Sequence, residues 1–255
     1  MKRIWGHVVS IVAVGMAIGA LTPACAKNDA SIFIRSALAP SSNRVNGACV
    51  FLPDPTAPSL SLAQLDVGVR DDYFAQLLVG NQLIVRGDPL DPRAETNRVH
   101  IDGAVVSVTN RDGSSLPGDA GSFTSPGTGF VDPETANNPS YGILGVSIID
   151  AKTSAALAAQ LPNRTTTKTV LVNVRAFGKT NGGVDVESND FQLVMQVCNG
   201  CLVTFPPTSV DPTKPLPNCA APIDTTTTTT TLPCVPGQDE PTSCQLCQGR
   251  PACNP

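Results

Sequence analysis

Residues 169–177 read TVLVNVRAF, and they form one strand of the clearest hairpin pattern in the chain. Its valines alternate with other side chains, and this period of two is typical of a β-strand that buries one face. Residues 191–197 read FQLVMQV and alternate in the same way. Between the two runs lies an Asn-Gly-Gly sequence at 181–183, which supplies the positive φ that a tight reversal needs. The two runs are therefore predicted to form an antiparallel hairpin.

Shorter runs of the same kind extend this pattern over the rest of the chain. They are rich in apolar and β-branched residues, are separated by turn residues, and lie at 31–35, 48–52, 73–79, 83–86, 99–109 and 141–149. Gly103 lies where the alternation doubles, which predicts either a β-bulge or burial of both faces of the strand. Residues 150–161 are the best helix candidate, with Asp150 as its cap and Pro162 as its stop. The sequence predicts an all-β domain over residues 31–200, folded as an antiparallel sandwich.

Residues 112–140 interrupt this pattern. The segment contains five glycines and four prolines, and it has little alternation apart from Phe123 and Phe130. A loop of this length is unusual inside a compact domain. It is predicted to be either a functional loop at one end of the sandwich or an irregular cover on its surface.

The composition changes at Cys201. The last 55 residues contain 11 of the 23 prolines and six of the nine cysteines, and residues 225–231 are seven consecutive threonines. Proline-rich sequence cannot form continuous sheet or helix. Residues 201–255 are therefore predicted to be a disordered Pro/Thr-rich linker with a small cysteine-rich end, which only cross-links could hold together.

The first 25 residues read MKRIWGHVVSIVAVGMAIGALTPAC and have the composition of an export signal. Lys2 and Arg3 precede an uncharged run at 8–21 that is too short for an ordinary membrane span. The ending Thr-Pro-Ala-Cys resembles the box of bacterial lipoproteins, in which the cysteine is acylated with palmitate-like chains and becomes the new N-terminus. This resemblance implies a signal peptide at 1–24, lipidation of Cys25, and a lipid anchor and tether at 25–30.

The same residues also fit a second cleavage site. Ala24-Cys25-Ala26 matches the A-x-A pattern of an ordinary signal peptidase, which would discard Cys25 and release a soluble protein. In the lipoprotein family an aspartate after the cysteine retains the protein at the inner membrane, and this chain has Ala26 there. The resemblance therefore implies an outer-membrane location, on the periplasmic or the surface face, with secretion as the alternative.

Eight cysteines follow Cys25, and an even number in an exported chain predicts a disulfide framework. These candidates are Cys49, Cys198, Cys201, Cys219, Cys234, Cys244, Cys247 and Cys253. Two pairs have the C-x-x-C spacing, at 198–201 and 244–247, which also occurs in zinc sites and redox-active dithiols. Structural disulfides are favoured because proline- and threonine-rich sequence separates the two pairs. Cys49 is expected to tie an early strand to the region of residues 198–219.

The titratable residues indicate no active site. The net charge is −4, and it becomes −6 once Lys2 and Arg3 leave with the leader, so nothing favours nucleic-acid binding. After the leader His100 is the one histidine; it lies within a strand and has no G-x-S-x-G partner sequence. Acidic residues cluster at Asp71-Asp72, at Asp88 and Asp91, and at 185–190. Carboxylate pairs occur in glycosidases and calcium sites, but loops of sandwiches are also rich in aspartate.

The chain thus resembles the lipid-anchored envelope proteins of Gram-negative bacteria through residues 1–26, and its body is generically similar to immunoglobulin-like sandwiches. These resemblances imply a non-enzymatic scaffold or protein-interaction module without a cofactor or metal, anchored in the membrane through its lipid. Another envelope protein is the expected partner, and the oligomeric state is left open. The alternatives are a released binding protein or adhesin that is cut after Ala26 and, further off, a hydrolase that uses loop carboxylates.

Overall fold

A computed structural model describes residues 31–41, 44, 48–86, 95–134, 138–164, 166–220 and 232–254. The leader with Cys25, the tether, Asp88, Asp91 and the threonine run lie outside these described residues. The strands are β1 (Ile32–Ala37), β2 (Ala63–Asp66), β3 (Tyr73–Asn81), β4 (Val99–Asn110), β5 (Ser122–Val131), β6 (Ser140–Ile149), β7 (Thr167–Thr180), β8 (Asp185–Glu187), β9 (Phe191–Cys198), β10 (Val203–Thr204) and β11 (Thr242–Ser243). One α-helix, α1 (Ala151–Ala158), and short 3-10 turns at Pro117–Asp119, Pro207–Ser209 and Cys244–Cys247 complete the elements.

Nine strands form one curled, mixed sheet. Its order is β1-β3-β6-β5-β4-β7-β9-β2, with β8 paired to the far end of β7. The β2–β9 pair is parallel, and so is the separate two-stranded β10–β11 sheet. The all-β prediction is confirmed, whereas the expected antiparallel pairing is wrong for β2–β9, and β10–β11 lies outside residues 31–200, to which that expectation applied. The immunoglobulin-like sandwich is not confirmed, because a continuous path of hydrogen-bonded strands joins both halves of the sheet.

Strand β5 makes this continuity possible, and it corrects the prediction of a loop over residues 112–140. Ser122–Val131 pairs along β4, and within it Gly127 and Thr128 turn to pair with β6 instead. The glycines of this region permit the close approach of neighbouring backbones. A Cβ added at Gly129, for example, would lie 2.6 Å from the carbonyl oxygen of Ile143 on β6. The high glycine content therefore reflects tight strand packing as well as turns.

The curled sheet has two halves, β1-β3-β6-β5 and β4-β7-β9-β2 with β8. The hydrophobic core lies between them. The inward residues of β7 and β9 alternate as the sequence predicts, and Val170, Val172, Val174 and Met195 are fully buried. Strand β1 contacts β7, β8 and β9 from the other half, so the halves close over one core. The buried residues of both halves form a single apolar cluster. Burial of this alternating face is the main source of stability for the sheet.

Three local predictions are confirmed. Strand β7 reverses at residues 181–184 into β8, with Gly183 at φ +83°, and β9 then pairs antiparallel with β7. The register of β4 shifts between Ile101 and Gly103, as expected of a bulge. Helix α1 begins after Asp150, whose side chain accepts a hydrogen bond from the backbone N–H of Thr153.

Two other predictions are wrong. Residues 48–52 and 83–86 form no strand, although Ile84 makes an isolated bridge with Glu134. Strand β2 is absent from the sequence-based expectations, and its short AQLD sequence has none of the strong alternation of β7.

The described parts of the tail, residues 199–220 and 232–254, pack against one end of the sheet. They form a second, smaller core cluster with Val69, made of Val203, Cys244, Cys247, Ala252 and Cys253. The prediction of disorder is therefore wrong for residues 201–220 and 232–254. The physical reason is that cross-links and hydrogen bonds to the sheet replace the apolar surface that this sequence lacks.

Candidate functional site

Four disulfides pair all eight cysteines that follow Cys25. The pairs are Cys49–Cys234, Cys198–Cys201, Cys219–Cys244 and Cys247–Cys253. The predicted disulfide framework is thus present, and only the first C-x-x-C closes on itself. Cys49 bonds to Cys234 and not to the region of residues 198–219, so that expectation is wrong. The reason is that the tail folds back and brings residues 234–240 beside the early strands.

Residues 237–239, here called the docking segment, lie along the edge of β2. Leu65 and Gln238 form an antiparallel bridge, the N–H of Asp66 donates to the carbonyl of Gly237 at 2.9 Å, and the N–H of Asp239 donates to the carbonyl of Gln64 at 3.1 Å. The last strand of the sheet therefore has a backbone partner on its outer side. An unpaired edge would otherwise be a template for pairing with other chains.

The docking segment also satisfies the other half of the sheet. The side-chain amide of Gln238 accepts from the N–H of Phe74 at 3.1 Å and donates to the carbonyl of Phe74 at 2.8 Å. This amide imitates the backbone of a neighbouring strand at the place where β1 has already ended. One short segment thus covers the seam between β2 and β3.

A buried pair of polar side chains fixes the position of the docking segment. The hydroxyl of Tyr73, a fully buried residue, donates to Oδ2 of Asp239 at 2.6 Å, and the N–H of Gln64 donates to Oδ1 at 2.8 Å. Burial raises the pKa of the Asp239 carboxyl, and the hydrogen bond from Tyr73 works in the opposite direction. Burial and the neighbouring Asp239 raise the pKa of Tyr73, so its hydroxyl remains a donor.

A small cavity lies beside this pair. It encloses about 60 Å³ and is lined mainly by apolar residues, including Leu38, Phe51, Leu60, Phe74 and Val235. Sites for small molecules usually have volumes of about 300 Å³ or more. The cavity is therefore a packing gap under the docking segment and too small for a substrate.

Asp66 is the second buried polar centre of this end of the sheet. It is fully buried; its Oδ1 accepts from the N–H groups of Gly68 and Gly200, and its Oδ2 accepts from the N–H of Leu202. The parallel pairing of β2 with β9 places Asp66 opposite Cys198. The carboxylate thereby holds the loop that the Cys198–Cys201 disulfide closes.

Asp66, Cys198 and Cys201 are also the one group of potential metal ligands among the residues that the structure describes. Their ligand atoms lie within 4.8 Å of one another. The two sulfur atoms are bonded to each other, however, and a metal requires thiolates. In this oxidised state the group does not fit a metal site.

His100 lies on the outer face of β4. Its Nδ1 is 2.9 Å from Oδ1 of Asp102, and its ring centroid is 4.7 Å from that of Phe130. The imidazole is partly exposed and forms part of a surface group with an aromatic ring. The sequence-based placement of His100 within a strand agrees with this position.

The two acidic clusters that the structure describes lie apart from one another, and most of their carboxylates make ion pairs. Asp71 bonds to Arg250 and Asp72 to Arg70, around an open depression. Asp185 pairs with Lys179 and Glu187 with Arg175, both on the outer surface of the β7–β8 hairpin. Asp190 lines a shallow depression beside Arg175. Exposed pairs of this kind contribute little to stability.

Comparison with known proteins gives no relative. No protein-family model matches the chain, and no curated protein and no solved structure matches it. Among the described residues no helix combines the length and the apolar character that crossing a membrane requires.

Sequence reasoning missed the residues of the docking segment and the buried Asp66 at the same end of the sheet. Asp66 stands between Leu65 and Val67 in an apolar run, which is a signal for a buried charge with dedicated hydrogen-bond partners. Gln238 and Asp239 carry no such signal, because they lie in a polar segment whose position depends on a cross-link to Cys49.

Proposed function

We propose that the chain is an exported, lipid-anchored envelope protein and that its sheet serves as a non-enzymatic interaction module. The observation that carries the proposal is the complete pairing of the eight cysteines after Cys25. Disulfides of this density persist in oxidising compartments, and the cytosol keeps thiols reduced. The chain must then leave the cytosol, and residues 1–25 have the composition that export requires.

Anchoring follows from Cys25. The four disulfides leave it outside their network, and its surroundings resemble a lipoprotein box. Two or more acyl chains on this residue would hold the protein stably in a membrane, whereas one chain binds only marginally. Ala26 favours the outer membrane, because the aspartate that the family uses for inner-membrane retention is missing.

The outer face of the sheet supports the interaction role. Phe130 is 63% exposed and Phe74 is 40% exposed, both on strands that the core holds rigid. Asp71, Asp72, Asp185 and Glu187 are paired with cations, and the 60 Å³ cavity is too small for a substrate. The larger volume of about 410 Å³ beside Arg70 and Arg250 is an open depression and not an enclosed site. These features suit a displayed surface, in which the curled sheet encloses its core much as the layers of an immunoglobulin-like sandwich do.

Metabolic labelling with palmitate tests the anchor. We expect the wild-type protein to be labelled and Cys25→Ala to carry no label. The matched control is Cys198→Ala together with Cys201→Ala, which removes a cysteine pair and keeps Cys25, so its labelling should persist. Label on Cys25→Ala, or none on the wild type, would refute lipidation.

The N-terminus of the mature protein separates the two export routes. A lipidated Cys25 at the N-terminus supports the anchor, and an N-terminus at Lys27 in the culture supernatant establishes the released form. Fractionation of Ala26→Asp tests the membrane, since this variant should move to the inner membrane while the wild type stays in the outer one. Photo-cross-linking from position 130, with exposed Lys214 as the control position, would capture a partner at the outer face.

A further inference from the structure

The Cys198–Cys201 disulfide differs from the other three in its surroundings. Cys201 is exposed, and it is the one exposed residue among the eight bonded cysteines, whereas Cys198 is 1% exposed. We therefore expect a thiolate that arrives from solvent to approach this disulfide at Cys201 and not at Cys198. Access of this kind is a main determinant of which disulfides exchange with other thiols.

Opening this disulfide would cost the fold little. It spans a sequence separation of 3, against 185, 25 and 6 for the other pairs. A short loop constrains the unfolded chain least, so its cross-link contributes least to stability in the chain-entropy description. Oxidation and reduction at this site can then occur without unfolding of the sheet.

The loop between the two cysteines is held from both sides. Asp66 accepts the N–H groups of Gly200 at 2.6 Å and Leu202 at 2.9 Å. Arg164 donates from Nη2 to the carbonyl of Gly200 at 2.9 Å, and this places its positive charge beside the residue that precedes Cys201. The bonds to Asp66 would keep the sulfurs adjacent after reduction. The positive charge of Arg164 favours a thiolate at Cys201, and the carboxylate of Asp66, which lies within 4.8 Å of both sulfurs, opposes it.

We propose that Cys198–Cys201 is an exchangeable disulfide that oxidises a dithiol. One thiolate of the dithiol attacks Sγ of Cys201, the Cys198–Cys201 bond breaks, and Cys198 leaves as a thiolate that takes up a proton. The second thiol of the dithiol attacks the mixed disulfide and releases Cys201. The dithiol becomes a disulfide, and its two protons end on Cys198 and Cys201. Asp66 acts as a positioning residue in this exchange.

Stepwise reduction of the purified protein tests the proposal. The protein is titrated with dithiothreitol, free thiols are alkylated, and the labelled cysteines are identified by mass spectrometry. Cys198 and Cys201 should be labelled at a concentration about tenfold lower than the other six, with an unchanged far-ultraviolet circular dichroism spectrum. Earlier opening of another pair, or opening of all four together with loss of the spectrum, would overturn the proposal.

Two single variants test the direction of attack. Each is mixed with a peptide that contains one internal disulfide. Cys198→Ser keeps the exposed Cys201 thiol and should form a mixed disulfide with the peptide, whereas Cys201→Ser keeps the buried Cys198 thiol and should react at least about tenfold more slowly. Equal rates would contradict the assigned roles. Reduction of the Cys198–Cys201 bond by dithiothreitol without any reaction with the peptide would support the exchange and would indicate that its partner is a small dithiol.

Asp66→Asn tests the positioning role. The variant should be reduced as readily as the wild type but should re-form its Cys198–Cys201 bond several-fold more slowly, because one of its two acceptor oxygens is lost. Unchanged re-oxidation in a folded Asp66→Asn protein would remove Asp66 from the proposal. The exchange does not depend on acylation of Cys25, so neither result bears on the proposal that Cys25 is lipidated.

Discussion

In the sheet, nearly all inward side chains are aliphatic and most are fully buried, whereas in the smaller cluster that the tail forms with Val69 three of the six buried residues are cysteines. The sheet can form its core from alternation alone, since each strand adds another apolar row. The tail has too few apolar residues for this and is held by disulfides and by hydrogen bonds to strand edges. The comparison shows two routes to a fixed conformation within one chain.

The dependence is mutual. The tail gains order from the sheet, and the sheet gains a cover for the exposed edges of β2 and β3 through Gln238 and the docking segment. Loss of the tail should therefore destabilise the protein and also promote association of its sheets. Changes in each region should separate these contributions.

The largest effect is expected from removing the cross-link between the two regions. Cys49→Ser with Cys234→Ser opens a loop with a sequence separation of 185, and the free energy of unfolding should fall by about 5 kcal/mol. Urea unfolding followed by circular dichroism measures this. The matched control is Cys219→Ala with Cys244→Ala, which opens a separation of 25 and should cost about 3.5 kcal/mol. A smaller loss for the longer loop would contradict the role of the cross-link.

Truncation of the sheet core should come next. Leu144 is fully buried on β6, and Leu144→Ala should lower the free energy of unfolding by about 3 kcal/mol through lost burial and a cavity. Val194→Ala is the control, because Val194 is 37% exposed on the outer face and should cost under about 0.5 kcal/mol. Similar losses for both variants would mean that alternation does not determine the buried face.

The amide of the docking segment gives a moderate effect. Gln238→Ala removes both hydrogen bonds to Phe74 and should cost about 1–2 kcal/mol, because the partly buried N–H and carbonyl groups of Phe74 lose their partner. The exposed Gln192, which donates to Asn173, serves as the control and should tolerate alanine. Concentration-dependent light scattering of Gln238→Ala would reveal association through the uncovered edge, and its absence would show that the edge needs no cover.

The helix cap should matter less. Asp150→Ala removes the acceptor for the N–H of Thr153 and should lower the free energy of unfolding by about 1 kcal/mol. Asp150→Ser preserves a capping oxygen and should recover most of this loss. If serine and alanine have equal effects, the cap contributes nothing at this position.

The smallest effect concerns pH. Because burial raises the pKa of Asp239 above its unfolded value, its contribution to stability is fully present below the unfolded pKa and is lost as the pH rises through the folded pKa. The stability of the wild type relative to Asp239→Asn should therefore decline as the pH rises from about 4. A difference that grows with pH would mean that the carboxylate is favoured in the folded state.

The parts of the fold that could be predicted are those in which one strand carries its own signal. Strands β4 and β7 alternate over many residues, and Asp150 precedes a helical run, so local pattern and final structure agree. Strand β5 was missed because Gly127, Gly129 and Pro126 resemble a loop sequence. The two glycines allow neighbouring strands to approach closely, and only the three-dimensional structure reveals this approach.

The position of the docking segment could not be predicted, for a different reason. Cys49 could pair with any of seven other cysteines, and its true partner, Cys234, lies beyond the threonine run. Without that pairing nothing relates Gln238 to Phe74, which are 164 residues apart in the sequence. Asp66 was the one residue of this end that a local signal, a charge in an apolar run, could have identified.

The Cys49–Cys234 disulfide links the tail to the sheet in the oxidised chain. Peptide mapping of the native protein without reduction, after blocking of free thiols, tests it directly. We expect the peptide with Cys49 to be joined to the peptide with Cys234, and the one with Cys219 to be joined to the one with Cys244. Free thiols at Cys49 and Cys234, or a bond from Cys49 to a cysteine between 198 and 219, would contradict the account.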